Sequence, residues 1–267
     1  MKAYLVEPGS AVRFKDWDSD DRSAFDLNKE QAQKKLLELN KQLEALQEVF
    51  YAEAKHKVLI VLQAMDTAGK DSVIRMVFEG INPQGVRVSG FRAPTAEEMD
   101  HDYLWRAHYQ MPAKGGIEIF NRSYYEDVLI VRVHNLVPPK VWKKRFQQIN
   151  DFERMLVEEG TTILKFYLNI TAAEQKKRLQ ARLDDPTKYW KFNLGDIKER
   201  RYWKEYMKAY EEAITKTSTP WAPWYIVPAK TKWYRNLVIA TTLVDVLSNF
   251  HMHYPPPIPG LKKIVIR

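Results

Sequence analysis

The 267-residue sequence contains no cysteine. That excludes a disulfide framework, a thiolate nucleophile and a cysteine-based zinc site. No apolar stretch approaches the roughly 20 residues needed to span a bilayer. The first residues, MKAYLVEPGSAVRFKDWDSDD, lack the apolar core and small-residue cleavage site of a signal peptide, so a cytoplasmic location is expected. The six histidines (His56, His101, His108, His134, His251, His253) form no H-E-x-x-H or similar ligand spacing, and structural or surface roles are expected for them. Internal repeats and low-complexity segments are also missing.

What remains is the composition of an ordinary soluble globular protein, 45% hydrophobic and 28% charged, long enough for one large α/β domain or two small ones. Forty-two Lys and Arg against 34 Asp and Glu give a net charge of +8, which favours a polyanionic partner: nucleic acid, an anionic membrane or polyphosphate. The basic residues gather in the second half, at Lys143–Arg145, Lys176–Arg178, Arg182, Lys188, Lys191, Lys198, Arg200 and Arg201.

Hydrophobic spacing orders the chain as alternating helices and strands. Leu36, Leu39, Leu43, Leu46 and Phe50 mark an amphipathic helix over 28–55, suited equally to covering a sheet face or to dimerisation. Strands are expected at 58–62, 86–91, 116–120, 161–170 and in PWYIVPA. Thr95–Glu98 reads as a capping box opening a helix to about Gln110, and Pro138-Pro139 open a helix that Gly160 stops. Thr171 caps another helix, and two more run from about Asp196 to Ile214 and over 232–252. The tail YPPPIPGLKKIVIR ends in an alternating segment, either a docking strand or a simple terminus. The pattern predicts an α/β fold: a parallel five-stranded sheet with helices on both faces, ligands at the carboxyl ends of its strands.

Three constellations carry chemistry. The apolar run Val58–Leu62 empties into Ala64-Met65-Asp66-Thr67-Ala68-Gly69-Lys70, followed by a helical pattern. This is nearly the phosphate-binding loop G-x-x-x-x-G-K-[ST], whose backbone N–H groups surround phosphate oxygens while the lysine adds a mobile charge. Ala64 replaces the usual first glycine, and Asp71 replaces the usual magnesium-binding Ser or Thr. After the third strand, FNRSYYEDV offers Arg122 as a bidentate phosphate fork and Glu126 and Asp127 as oxygen donors suited to magnesium. The third is EQKKRLQARLDDPTKYWKF. Arg178 and Arg182 share one helix face there, with Lys188 and Lys191 after a turn, placed as a lid over a phosphoryl group. The aromatic group Trp221, Trp224, Tyr225, Trp233 and Tyr234 suits packing better than base stacking, whereas Phe91 and Arg92 are as well placed to meet an acceptor nucleotide as to form a plain loop.

Taken together, QAMDTAGKD, FNRSYYEDV, EQKKRLQARLDDPTKYWKF, and APWYIVPA with KWYRN resemble the polyphosphate kinase 2 family in order and spacing over residues 10–267. The resemblance implies a single P-loop kinase-like domain over 1–267 with a helical lid at about 171–215. It implies reversible transfer of the terminal phosphoryl group of inorganic polyphosphate to a nucleotide, with magnesium or manganese. Asp66, Lys70, Arg122 and Asp127 would be catalytic, Asp66 and Asp127 serving as metal ligands. Ala68, Gly69, Asp71, Ser72, Asn121, Glu126, Arg178, Arg182 and Lys188 would bind nucleotide or phosphate. The pair Asn121 and Glu126 resembles the class III group, which accepts both AMP and ADP; GMP and GDP are further candidates. A homo-oligomer, dimer or tetramer, and no nucleic-acid or membrane partner are expected. Two other readings are an ATP-dependent nucleoside-monophosphate kinase and a non-catalytic polyanion-binding module. The latter explains the basic surplus but not the arrangement of Asp66, Lys70, Asn121, Arg122 and Glu126.

Overall fold

Lys57–Gln63 forms β1, and its last six residues are all buried because neighbours pair on both edges and helices cover both faces. In the computed structural model, which describes residues 1–261 and 264–266, β1 pairs in parallel with β3 (Ile117–Asn121) and β4 (Thr161–Asn169). β2 (Val86–Gly90) and β5 (Trp224–Pro228) complete the parallel order β2-β3-β1-β4-β5.

Alternation along β1 sorts the core into two layers. Val58, Ile60 and Leu62 pack with α1 (Lys29–Glu53), α2 (Lys70–Val77) and α10 (Lys232–Ser248). Leu59 and Val61 face α6 (Pro139–Glu158) and α9 (Trp203–Thr217). The leucine stripe of α1 is buried in the first layer, so sheet cover accounts for it. Asn28 and Gln31 form the capping box that starts α1, and Ala54 at φ 53° ends it. Among the described residues no helix is long and apolar enough to cross a membrane.

Two expected helices are divided. The capping box at Thr95 opens α3 (Ala96–Asp100), but the helix stops there and α4 spans Trp105–Tyr109. The Asp102 carboxylate takes the Leu104 N–H at 2.9 Å and its carbonyl takes that of Trp105, a local bonding choice that competes with the helix. Between these elements and α6 lies the short α5 (Ile130–Val133). After α7 (Ala172–Leu183), the helix expected from Asp196 begins earlier as α8 (Leu194–Glu199), because Asn193 caps it through the Gly195 N–H at 2.8 Å. A 3₁₀ turn at Arg200–Tyr202 then separates α8 from α9. α10 ends at Ser248, short of the expected 252, and the described tail residues form no strand. Lys262, Lys263 and Arg267 of the alternating segment lie outside the described residues.

The aromatic group beyond residue 220 is mostly packing. Trp224 is buried with its indole N–H on Thr217 Oγ1 at 2.9 Å, and the Tyr234 hydroxyl meets that of Tyr4 at 2.6 Å. The second layer also holds an unexpected charged group. Lys165, fully buried on β4, donates to Glu153 of α6 at 2.6 Å, to the Tyr125 hydroxyl at 2.9 Å and to the Thr217 carbonyl at 2.7 Å. Glu153 also accepts from the Tyr124 and Tyr125 hydroxyls at 2.9 and 2.8 Å. Every polar atom is answered, as a charge in an apolar layer requires. Removing one partner leaves the other charged and dry. Lys165→Met is therefore expected to cost about 3–5 kcal/mol in urea unfolding. Adding Glu153→Gln should recover part of that loss, since an amide oxygen still accepts from the two tyrosines; a single-variant cost below about 1 kcal/mol would contradict the analysis.

Candidate active site

The carboxyl end of β1 runs into the loop Ala64–Gly69, and α2 starts at Lys70. Two loop residues adopt positive φ: Thr67 at 67°, unusual for a branched side chain, and Gly69 at 107°. The Thr67 hydroxyl is buried with no partner among the described residues. The N–H groups of Gly69, Lys70, Asp71 and Ser72 likewise bond to nothing in the chain among the described residues, so they are available to an anion at the helix start.

Beside this loop, β3 delivers the second constellation. The Arg122 N–H donates to the Leu62 carbonyl at 3.1 Å, and Arg122 turns to φ 62°, aiming its side chain across the strand ends. Its Nη2 meets Asp66 Oδ1 at 2.6 Å. Asn121 Nδ2 donates to Asp71 Oδ1 at 2.7 Å. Lys70 Nζ donates to the Ala64 carbonyl at 3.3 Å. Burial, then the repulsion of Arg122, lowers the Lys70 pKa, against the attraction of Asp66, Glu126 and Asp71. Arg122 moves upward, since Glu126 and Asp66 outweigh its desolvation.

These residues line a cavity of ≈ 680 Å³ whose walls carry nine basic and three acidic side chains. Asp66, Gly69, Lys70, Asp71, Ser72, Asn121, Arg122, Arg178, Arg182 and Lys188, all singled out from the sequence, contribute to its wall. Phe91 and Arg92 line it too, Phe91 resting against Phe120 with ring centroids 4.6 Å apart. A smaller cavity of ≈ 190 Å³ adjoins it through Asp66, Arg122 and Asp196, and Glu126, Tyr206 and Tyr210 lie on its wall. Burial raises the Glu126 pKa, with Arg122 and Lys70 pulling the other way. Asp196 is raised by burial and then by its neighbour Asp66.

Four residues differ from the sequence expectation. Asp127 lines neither cavity: its carboxylate bonds Arg145 Nη1 at 3.0 Å and lies 3.9 Å from Arg106 Nη2. The 3₁₀ turn at Tyr124–Val128 sends successive side chains different ways, so Glu126 faces the loop and Asp127 faces α6. Burial brings Asp127 up to about 6 despite its arginines. Arg178 is not a swinging lid cation. Its Nη1 donates to the Thr67 and Ala68 carbonyls, its Nη2 to those of Ala229 and Lys230, and its Nε to Glu174, all within 3.1 Å. Arg182 is tied to the Lys191 carbonyl at 2.9 Å and to Asp196 at 3.2 Å. Ala68, expected to bind through its backbone, is fully buried, and its carbonyl accepts from Arg178 and Arg235. Residues 184–199 carry Lys188 and Lys191 and bury no side chain, whereas α9 buries Tyr206, Ala209, Tyr210 and Ala213 in the core.

Sequence reasoning missed Arg235, Lys232 and Asp196, all of which line the larger cavity. Arg235 and Lys232 sit within KWYRN, where the aromatic residues drew the weight. Asp196 looked like a helix start.

Among the described residues no three acidic, histidine or cysteine side chains group to hold a metal by themselves. The donors at hand are nevertheless hard oxygens, Asp66 beside the loop and Glu126 behind it. That set fits an ion such as magnesium, which keeps waters and binds one or two carboxylates together with substrate phosphates. Asp127, held by two arginines, does not belong to that set.

Comparison with known proteins agrees with this architecture. The model of the family "Polyphosphate kinase 2" matches residues 26–254. An AMP/ADP-polyphosphate phosphotransferase of Meiothermus ruber is 56% identical over the full length of both chains. An ADP-polyphosphate phosphotransferase of Rhodopseudomonas palustris is 40% identical over all of this chain and 96% of its own. The crystal structure of polyphosphate kinase 2 from Arthrobacter aurescens TC1 superposes with a TM-score of 0.95 at 42% identity, covering 98% of this chain and 93% of that one. With its loop, its five parallel strands and its full-length likeness in agreement, the chain belongs to the polyphosphate kinase 2 family.

Proposed function

We propose that the protein transfers the terminal phosphoryl group of inorganic polyphosphate to AMP and to ADP, giving ADP and ATP. The observation that carries this reading is the larger cavity, with nine basic against three acidic side chains around a phosphate loop. Such an excess suits a polymer bearing about one negative charge per unit better than it suits a single nucleotide. The full-length likeness to an AMP/ADP-polyphosphate phosphotransferase supports the same acceptor pair.

In-line phosphoryl transfer asks the protein for alignment and charge neutralisation rather than a covalent nucleophile. The free N–H groups of Gly69 to Ser72 and the Lys70 ammonium cradle the transferring phosphoryl oxygens. Arg122, fixed on Asp66, presents its remaining N–H groups as a fork to the acceptor phosphate. Lys188 and Lys191 lie on the exposed segment 184–199, which serves as the moving part of the lid. Asp66, with Glu126 nearby, would hold a magnesium ion, and that ion would supply neutralisation of phosphate charge. Asn121, which donates to Asp71, and Glu126, on the smaller cavity's wall, are the pair whose resemblance to the class III group implies the wider acceptor range. Guanine nucleotides, a homo-oligomer and a reversible reaction belong to the same reading.

Incubation with magnesium, long-chain polyphosphate and AMP, without ATP, is expected to yield ADP and then ATP on anion-exchange chromatography. ATP from added ADP only would remove AMP from the acceptor range. Turnover with ATP as the only effective donor would replace the reading by an ordinary monophosphate kinase. Asp66→Asn is expected to lower kcat about 10²- to 10³-fold, because it loosens Arg122 and weakens the metal position; full turnover would discard that role. Arg122→Lys, which keeps the charge but not the fork, is expected to lower kcat/KM about 10- to 100-fold for both acceptors.

A further inference from the structure

Arg235 enters the site from below. It leaves the first turn of α10 fully buried, and its guanidinium lies against the loop backbone: a Cβ on Gly69 would clash with Nη1. Nη1 donates to the Ala68 carbonyl at 2.9 Å and Nη2 to Ser72 Oγ at 3.2 Å. Nη2 and Nε share Asn236 Oδ1 at 2.8 and 3.1 Å. One hydrogen of Nη1 has no partner among the described residues. The same Ala68 carbonyl accepts from Arg178 at 2.9 Å, so two guanidiniums, one from α7 and one from α10, hold one loop peptide.

Its charge sets Arg235 apart. Arg122 has Asp66, Arg178 has Glu174 and Arg182 has Asp196. No carboxylate comes within ion-pair distance of Arg235 among the described residues, and the charge that acts on it is a second cation, Arg178. Burial, then Arg178, brings its pKa down to about 9. An unpaired charge in a dry site destabilises a fold unless something answers it. The neutral acceptors around it satisfy most of its hydrogens but none of its charge. An anion in the cavity that Arg235 lines would supply what is missing.

We propose that Arg235 is a positioning residue for phosphoryl binding: it fixes the Ala68 carbonyl jointly with Arg178, and its charge is neutralised by the phosphate chain seated on the loop. The proposal rests on the reading of this cavity as a polyphosphate site. It makes Arg235 a liability in the free protein and an asset in the complex, which a purely structural arginine is not.

Thermal unfolding of the full chain, with and without long-chain polyphosphate, and kinetics with AMP test it on Arg235→Met and Arg235→Lys. Arg235→Met is expected to keep or raise the ligand-free Tm, to lose more than half of the polyphosphate-induced rise in Tm, and to increase KM for polyphosphate about 10- to 100-fold, more than it lowers kcat. Arg235→Lys retains charge without the fork, and should restore part of the rise while its KM stays at least about 5-fold raised. A lower ligand-free Tm with a full polyphosphate-induced rise, or an unchanged KM in either variant, overturns the proposal while leaving the function intact. Should Arg235→Met fail to fold, the KM of Arg235→Lys decides by the same criterion. A wild-type protein with neither turnover nor a rise in Tm on polyphosphate would overturn the functional reading, and this proposal with it.

Discussion

Parallel pairing between β1 and β3 continues one bond past the registered pair Leu62 and Asn121, through the Arg122 N–H to the Leu62 carbonyl. The geometry of the site follows from that last bond. It holds the end of β3 level with the end of β1, just where one chain turns into the phosphate loop and the other into a left-handed residue. A slip of one residue would send Arg122 to the opposite face of the sheet. The register is secured from below by the two apolar layers, since Val58, Ile60 and Leu62 must face one set of helices while Leu59 and Val61 face the other. Packing on both faces thereby fixes the meeting of Asp66 and Arg122 to hydrogen-bond precision.

The electrostatics divide along the same line. Within the core, Lys165 and Glu153 are paired and fully satisfied, with two tyrosines and a carbonyl as further partners. At the strand ends the balance tips, and basic side chains outnumber acidic ones in the cavity wall. Arg178 and Arg182 are held by backbone carbonyls as well as by one acid each, whereas Arg235 is held by neutral acceptors alone, so the arginines stay rigid and the wall keeps its excess of positive charge. Such preorganised charge costs little reorganisation when an anion arrives.

The strands and the loop were legible because buried parallel strands are short apolar runs, and Gly69-Lys70 announces its own chemistry. Helix breaks were not, since the Asp102 turn and the 3₁₀ turn at Arg200 depend on local bonds that periodicity ignores. Asp127 was misplaced for a geometric reason: spacing cannot say which of two adjacent carboxylates faces a site when the backbone leaves the strand in a 3₁₀ turn. Arg235 lay in a stretch where tryptophan and tyrosine signal packing, and only the fold brings it 167 positions back to Ala68. Lys165 was hidden in the opposite way. The spacing in its strand says nothing of a partner for that lysine, whereas in the fold it is the buried centre of a network.

The segment from Asp184 to Glu199 is attached firmly at both ends, through Arg178 on α7 and through the buried face of α9. It is therefore a bridge anchored on two piers and tied in its span by Arg182 to the Lys191 carbonyl and Asp196, not a hinged flap with a free tip. Its reach is bounded by contour length, about 3.3–3.6 Å per residue when drawn out. Closure entropy for such a span grows only slowly, by about 0.6 kcal/mol for each doubling of length. Length in this segment is thus a nearly free variable for stability, while it limits how far Lys188 and Lys191 can stand from the rest of the cavity wall.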